Sequence, residues 1–369
     1  MTQHSNFPAV RPLAADALAR LDQLVTDFVD RLGNLGALVA IDVDGIGRMT
    51  FTAGHSNLEK SRVVQPGDVF QIGSQSKTIT AMIVVLMARD GLLGLDDPVA
   101  RHLELPIDRR ITVRHLLMNS SGLGEYVTPL FSARNDPRIN LAPRDLLALA
   151  LPQGQIFEPG ERFDYTNTGW VIAAMLIETI CGKSYGDVAT ERIVKPLGLK
   201  ASGFGGHVPA GERMHCYMTV QMAPAPVDTS GYLSWAFGAG DGLATADDIL
   251  AIYASLMRDD SPLGISLQDL AAETLKPSAS PYSPMSMGAE YGLGLERRAW
   301  AGSEVWGHPG STGGCRSSTW IDVARGVAVA TAATVHMGGS ATPDEVRYPR
   351  AQLFSMALNT AYALAAERG

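Results

Sequence analysis

Residues 70–89 read FQIGSQSKTITAMIVVLMAR. Up to Gly73 the pattern is extended, the end of a stretch QPGDVFQIG; from Ser74 it is helical through Arg89, with Gly91 where a C-terminal cap belongs. The junction places a hydroxyl at the first turn of an apolar helix, beside unpaired backbone N–H groups and the positive end of the peptide dipoles. Lys77 follows three residues later and shares that face. Such donors can hold a developing oxyanion. A desolvated lysine amine, its pKa lowered, can remove the serine proton. By itself the pair also fits a helix N-cap followed by a solvated lysine. The strand before it and the apolar helix after it favour chemistry.

Upstream, residues 14–32 read as an amphipathic helix with Leu18, Leu21, Leu24, Val25 and Phe28 on one side. A hairpin follows, ALVAIDV and GRMTFTA around the turn pair Asp44-Gly45. Downstream, residues 95–240 are mostly helical pieces joined by Pro/Gly loops: ITVRHLLMN, PRDLLALAL, NTGWVIAAMLIETICG and SYGDVATERIVKPL. Asp247 to Met257 is another helix, and 275–288 a surface loop. Extended pieces then return as EYGLGLERR, SEVWGHPG, SSTWIDV and GVAVATAAT, the last two joined by a turn at Ala324–Gly326, before a closing helix over about 343–366. The expected fold is α+β: an antiparallel sheet from 1–80 and 285–369, flanked by the first and last helices, with residues 81–284 as a mostly helical inserted lobe. A site would lie in the cleft between the two.

Two further patterns carry chemistry. In FEPGERFDYTNTGW, Tyr165 and Asn167 are two apart in an extended segment and point the same way. A phenol there can relay a proton, and an amide can orient a substrate or Lys77. Tyr165 as core packing and Asn167 as a helix cap is the alternative. In His308-Pro309-Gly310-Ser311, a strand edge could bind substrate and offer the Ser311 N–H as an oxyanion donor. His336-Met337-Gly338 repeats the His-x-Gly spacing, and spacing alone does not choose between them. Tyr126, Tyr232, Trp235 and Trp306 lie near these segments and could line a pocket.

The bulk properties narrow the partners. The 369 residues are 46% hydrophobic and 18% charged, with a formal net charge of -8. That mild acidity and the lack of a basic run argue against nucleic acid. Cys181, Cys216 and Cys315 form no CxxC pair, and their odd number fits a reduced compartment, with Cys315 as a packed thiol. The N-terminus has no apolar core of signal-peptide length, and the longest strongly apolar run, Ala81 to Ala88, is too short to span a bilayer. A cytoplasmic protein with no membrane partner is expected.

The three motifs in this order resemble the serine β-lactamase and penicillin-binding-protein superfamily, above all its class C β-lactamase-like branch of esterases, D-amino-acid peptidases and transacylases. The resemblance runs from about residue 35 to 365. It extends to GLLGLDDPVARHL, ITVRHLLMNSSGL and GAGDGLATADDI. It implies His308 as the site histidine, since a Gly-rich turn, two strands and a helix follow it, and it leaves His336 to a loop. It also implies that Ser74 is acylated and that Lys77 and Tyr165 share the proton transfers, with the primary base open between them. Asn167, His308 and Gly310 then hold or orient substrate, and the N–H groups of Ser74 and Ser311 form the oxyanion hole. No metal or organic cofactor is implied.

The expected partner is a small-molecule ester or amide. The acyl group would pass to water or, in a biosynthetic transacylase, to an amine or alcohol. D-amino-acid peptidase or β-lactamase activity and an inactive binding module are the further alternatives. One departure matters. True β-lactamases usually begin the third motif with lysine and a hydroxyl residue, which hold the antibiotic's carboxylate. Here His308 and Pro309 stand there. A neutral imidazole supplies no fixed cation, and this shifts the expectation away from penicillins.

Overall fold

The structure is a computed structural model that describes residues 12–32, 34–133, 138–220, 223, 225–276, 289–334 and 343–367. Helix α1 (Pro12–Leu32) leads into the hairpin β1 (Gly36–Val43) and β2 (Gly47–Gly54). Strand β3 (Phe70–Gln71) enters a 3-10 turn, Gly73–Gln75, that opens α2 (Ser76–Arg89). The middle of the chain holds α3 (Val113–Leu117), α4 (Val127–Ala133), α5 (Pro143–Ala150), α6 (Thr168–Cys181) and α7 (Tyr185–Ala189). After them come β4 (Tyr217–Met218), β5 (Val227–Asp228), β6 (Leu243–Ala244), α8 (Ala246–Ser255) and α9 (Leu267–Ala271). The chain then returns to the sheet with β7 (Glu290–Tyr291), β8 (Glu296–Trp300), β9 (Ser303–Ser311), β10 (Cys315–Asp322) and β11 (Val327–Thr334), and closes with α10 (Pro343–Ala366).

Seven strands form one antiparallel sheet in the order β2-β1-β11-β10-β9-β8-β7. The β1 and β11 pairing joins the two ends of the chain, with Val39 opposite Thr331 and Ile41 opposite Val329. Because side chains alternate faces along a strand, β1 serves two cores. Val39, Ile41 and Val43 pack with Leu21, Val25 and Phe28 of α1 and Leu358 and Ala361 of α10. Leu38 and Ala40 face the larger core that includes α2 and α6. The α+β architecture expected from the sequence is the one observed.

The structure departs from expectation in four places. Leu24 is exposed, because it sits on the flank of the α1 stripe rather than its centre. The extended segment around Phe70 contributes only β3, which pairs with β6 outside the main sheet. The mostly helical middle section also holds two short strands not read from the sequence, β4 and β5, which form their own antiparallel pair. The fourth departure concerns the cysteines. Cys216 and Cys315, 99 residues apart, form a disulfide, so Cys315 is not a packed thiol and the reduced-compartment expectation loses its basis. Tertiary folding brings the residue just before β4 against the start of β10, which spacing alone does not reveal. Cys181 is the free cysteine. Residues 277–288 and His336 lie outside the described residues. Among the described residues no helix is long and apolar enough to cross a membrane.

Candidate active site

The nucleophile turn is built by close backbone approach. Gly73 has φ 56°, a conformation that strains other residues. A Cβ on it would fall 2.5 Å from the Ser311 nitrogen. A Cβ on Gly310 would fall 1.9 Å from the Ile72 carbonyl oxygen. Two glycines therefore let the end of β9 lie directly against the turn that carries Ser74, with the Ser311 amide beside it. Ser74 does not cap a helix. It lies inside the 3-10 turn, and the N-cap position of α2 belongs to Gln75.

Lys77, fully buried, is surrounded by oxygen. Its Nζ lies 3.0 Å from Ser74 Oγ, 2.7 Å from Asn167 Oδ1 and 2.7 Å from the Ala239 carbonyl. Burial pushes its pKa down to about 7, against the fields of Glu125 and Asp241, which raise it. Asn167 holds the N-cap position of α6, but its side chain makes no capping bond. Its amide is committed elsewhere: Nδ2 donates to Glu125 Oε2 at 2.9 Å, and Oδ1 accepts from Lys77. Glu125 also accepts the backbone N–H groups of Asn167 at 2.7 Å and Val127 at 2.8 Å. Burial nonetheless raises its pKa. Glu125 was not picked out from the sequence. The available signal is an acid enclosed by the uncharged run NSSGLG before it and Tyr126 and Val127 after it.

The Tyr165 hydroxyl faces Ser74, and its ring centre lies 5.0 Å from Lys77 Nζ. Desolvation raises its pKa, so the phenol is neutral. His308 is buried and its pKa is pushed down to about 3, first by burial and then by the field of Lys77. Its Nδ1 lies 2.6 Å from the Pro309 carbonyl, which can only accept. The ring proton is therefore on Nδ1, and Nε2 accepts from the Tyr291 hydroxyl at 3.1 Å. His308 is a neutral, fixed wall and not a cation.

These groups open on a cleft of about 360 Å³ bordered by Ser74, Tyr165, Asn167, His308, Gly310 and Ser311. Its apolar side is Val127, Phe131, Met218 and Trp235. Trp235 meets Phe131 edge to face, ring centres 5.1 Å apart. The other three aromatic candidates do not border the cleft. Tyr126 is fully buried and donates to the Trp235 carbonyl at 2.6 Å. Tyr232 supports the tryptophan from behind, its carbonyl accepting Trp235 Nε1 at 3.0 Å. Trp306 packs in the large core. Among the described residues no three His, Cys, Asp or Glu side chains group as metal ligands.

A family model described as Beta-lactamase matches residues 21–351. The chain belongs to the beta-lactamase family. The superfamily assignment made from the three motifs is borne out. Among its curated relatives, the D-aminopeptidase of Brucella anthropi is 26% identical over 324 residues, 82% of this chain and 56% of that protein. The chain spans about half the length or less of the first curated relatives it matches. The solved D-amino acid amidase of Ochrobactrum anthropi SV3 superposes with a TM-score of 0.82 at 24% identity, covering 96% of this chain and 100% of that one. A D-stereospecific amidohydrolase from Streptomyces sp. superposes with a TM-score of 0.72 at 29% identity, covering 86% and 94%. Within the beta-lactamase family, the fold is therefore one that known amide-cleaving proteins share.

Proposed function

We propose that this beta-lactamase family member is a serine hydrolase that cleaves an amide or ester of a small amino-acid-like substrate through an acyl group carried on Ser74. The observation that carries the reading is the hydrogen-bond inventory of Lys77. A neutral amine has two N–H donors and one lone pair. Asn167 Oδ1 and the Ala239 carbonyl can only accept, and Glu125 fixes the Asn167 amide in that sense. Both donors are then spent, and the lone pair faces the Ser74 hydroxyl at 3.0 Å. This is the arrangement a general base for serine requires.

In this mechanism Ser74 Oγ attacks the substrate carbonyl while its proton passes to Lys77. The N–H groups of Ser74 and Ser311 hold the oxyanion. The neutral Tyr165 phenol, facing Ser74, gives its proton to the leaving nitrogen or oxygen and recovers one from the attacking water. Water then releases the acid, and Lys77 returns its proton to the departing Ser74 Oγ. Gly310 borders the cleft where β9 lies against the nucleophile turn, and the Val127, Phe131, Met218 and Trp235 side takes the acyl side chain.

The substrate class is supported by the D-amino-acid amidase and D-aminopeptidase names among its relatives. Neutral His308 offers no cation for a penicillin carboxylate, which favours amides and esters over β-lactams. We read residues 1–80 with 285–369 as one lobe and 81–284 as the other, the cleft lying between them. The Cys216–Cys315 disulfide supports an oxidising compartment rather than the cytoplasm.

Intact-protein mass spectrometry with a p-nitrophenyl ester or a fluorophosphonate tests the nucleophile. One adduct is expected on the wild-type protein and none on Ser74→Ala. An adduct that survives the substitution would remove Ser74 from the mechanism. Product analysis with D- and L-amino acid amides, with and without an added amine, then separates hydrolysis from transfer.

A further inference from the structure

The segment from Ala236 to Ala244 runs as a strap along the nucleophile turn. The Ala239 carbonyl accepts from Lys77 at 2.7 Å. The Gly242 N–H donates to Ser76 Oγ at 2.9 Å, and its carbonyl accepts the Ile72 N–H at 3.0 Å. A side chain on Gly240 would reach the backbone of Gly73 and Ser74 at 3.5 and 3.7 Å. Asp241 sits between these ties and is 5% exposed. Its Oδ2 accepts the Gly205 N–H at 3.1 Å, the backbone N–H groups of Gly238 and of Asp241 itself also favour the carboxylate, and Oδ1 makes no hydrogen bond of normal geometry. An ionised carboxylate left in that state is costly unless a cation or a proton compensates it.

The charged and titratable groups that share its field are few. Lys77 faces it from α2, Tyr126 from the loop before α4 and Tyr185 from α7. Glu125 acts on the same lysine. Burial drives the Asp241 carboxyl up to about 7 and the Lys77 amine down to about 7, and each acts on the other's charge. Their titrations then belong to the pair.

We propose that Asp241 is a positioning residue of the acyl-transfer site, whose carboxyl, held in the strap that binds Lys77, sets the charge of the lysine amine. The proposal rests on the acyl-Ser74 reading. An ionised Asp241 favours the ammonium form of Lys77 and so stabilises the charge that appears when the Ser74 proton arrives. Without that charge the amine is neutral down to lower pH but is a weaker base.

The test follows the acylation rate of a p-nitrophenyl ester against pH in wild type, Asp241→Asn and Asp241→Glu. Asparagine keeps an acceptor for Gly205 and removes the charge. Its acid limb is expected to move to lower pH by about half a unit or more, with a severalfold lower plateau, little change in KM, and the limb restored by glutamate. An acid limb that stays in place in a folded Asp241→Asn protein, or moves upward, overturns the proposal. If the wild-type protein forms no Ser74 adduct at all, the underlying acyl-enzyme reading fails instead.

Carbon-13 NMR of carboxyl-labelled aspartate in wild type and Lys77→Met gives a reading that does not depend on the asparagine variant folding. The carboxyl that titrates near neutrality is expected to shift upward when the lysine charge is removed. An unchanged midpoint overturns the coupling.

Discussion

The two faces of the central sheet bury side chains to opposite ends. Against α1 and α10 the sheet presents Val39, Ile41, Val305, Trp320, Val327 and Val329, packed on Leu21, Val25, Phe354 and Leu358. The buried charge there, Asp322, accepts from the Tyr362 hydroxyl at 2.6 Å and the Arg325 N–H at 3.0 Å. The other face also has a large apolar core, but it encloses Lys77, Asp241 and His308. On the first face, removing surface from water stabilises the fold and does little else. On the second, the same desolvation changes which groups carry protons. The first face should answer to volume and the second to charge.

The largest effect expected is on the second face. Ser74→Ala should lower kcat/KM by about 10³-fold or more and leave the melting temperature unchanged. A variant that kept most of its activity would show that chemistry runs through another group. Leu358→Ala on the α10 face should do the reverse. It should cost about 2–5 kcal/mol in chemical denaturation and leave kcat/KM per folded molecule intact. A fall in kcat/KM there would mean that the faces are mechanically coupled.

Glu125→Gln sharpens the contrast, since it barely alters volume. It keeps one acceptor oxygen where Glu125 uses two, one for Asn167 and one for the Val127 N–H, and about 10- to 100-fold in kcat is expected from the misplaced lysine, with stability little affected. An unchanged kcat would mean that the amide keeps its orientation without the acid. The smallest step is a pH profile of the wild-type protein. The reactive form of Lys77 is the neutral one, so kcat/KM should fall about tenfold per pH unit below the lysine midpoint near 7 and level off above it. A midpoint near the ordinary lysine value would place Lys77 in a wetter site than the one described.

Much of this site was legible in the chain. Ser74 and Lys77 are three residues apart in a helical register, and Tyr165 and Asn167 two apart in an extended one, so local geometry aims each pair. The hairpin and the closing strands announced themselves by alternation and turn residues. Glu125 had only its uncharged neighbours to mark it, and Asp241 had less, because a local pattern seldom separates an acid that will be buried from one that stays in water. Trp235 and Trp306 looked alike as aromatic residues near motifs, yet one borders the cleft and the other packs in the core.

By itself, then, the sequence determined the order of elements, the α+β class and the residue types that meet at the cleft. Those follow from short-range periodicity, which needs no knowledge of distant contacts. Tertiary structure alone decided that His308 is buried and fixed by Tyr291, that Cys216 reaches Cys315, and that two acids act on Lys77. Protonation and pairing depend on what surrounds a group in three dimensions, and burial is a property of the folded chain, not of any stretch of it.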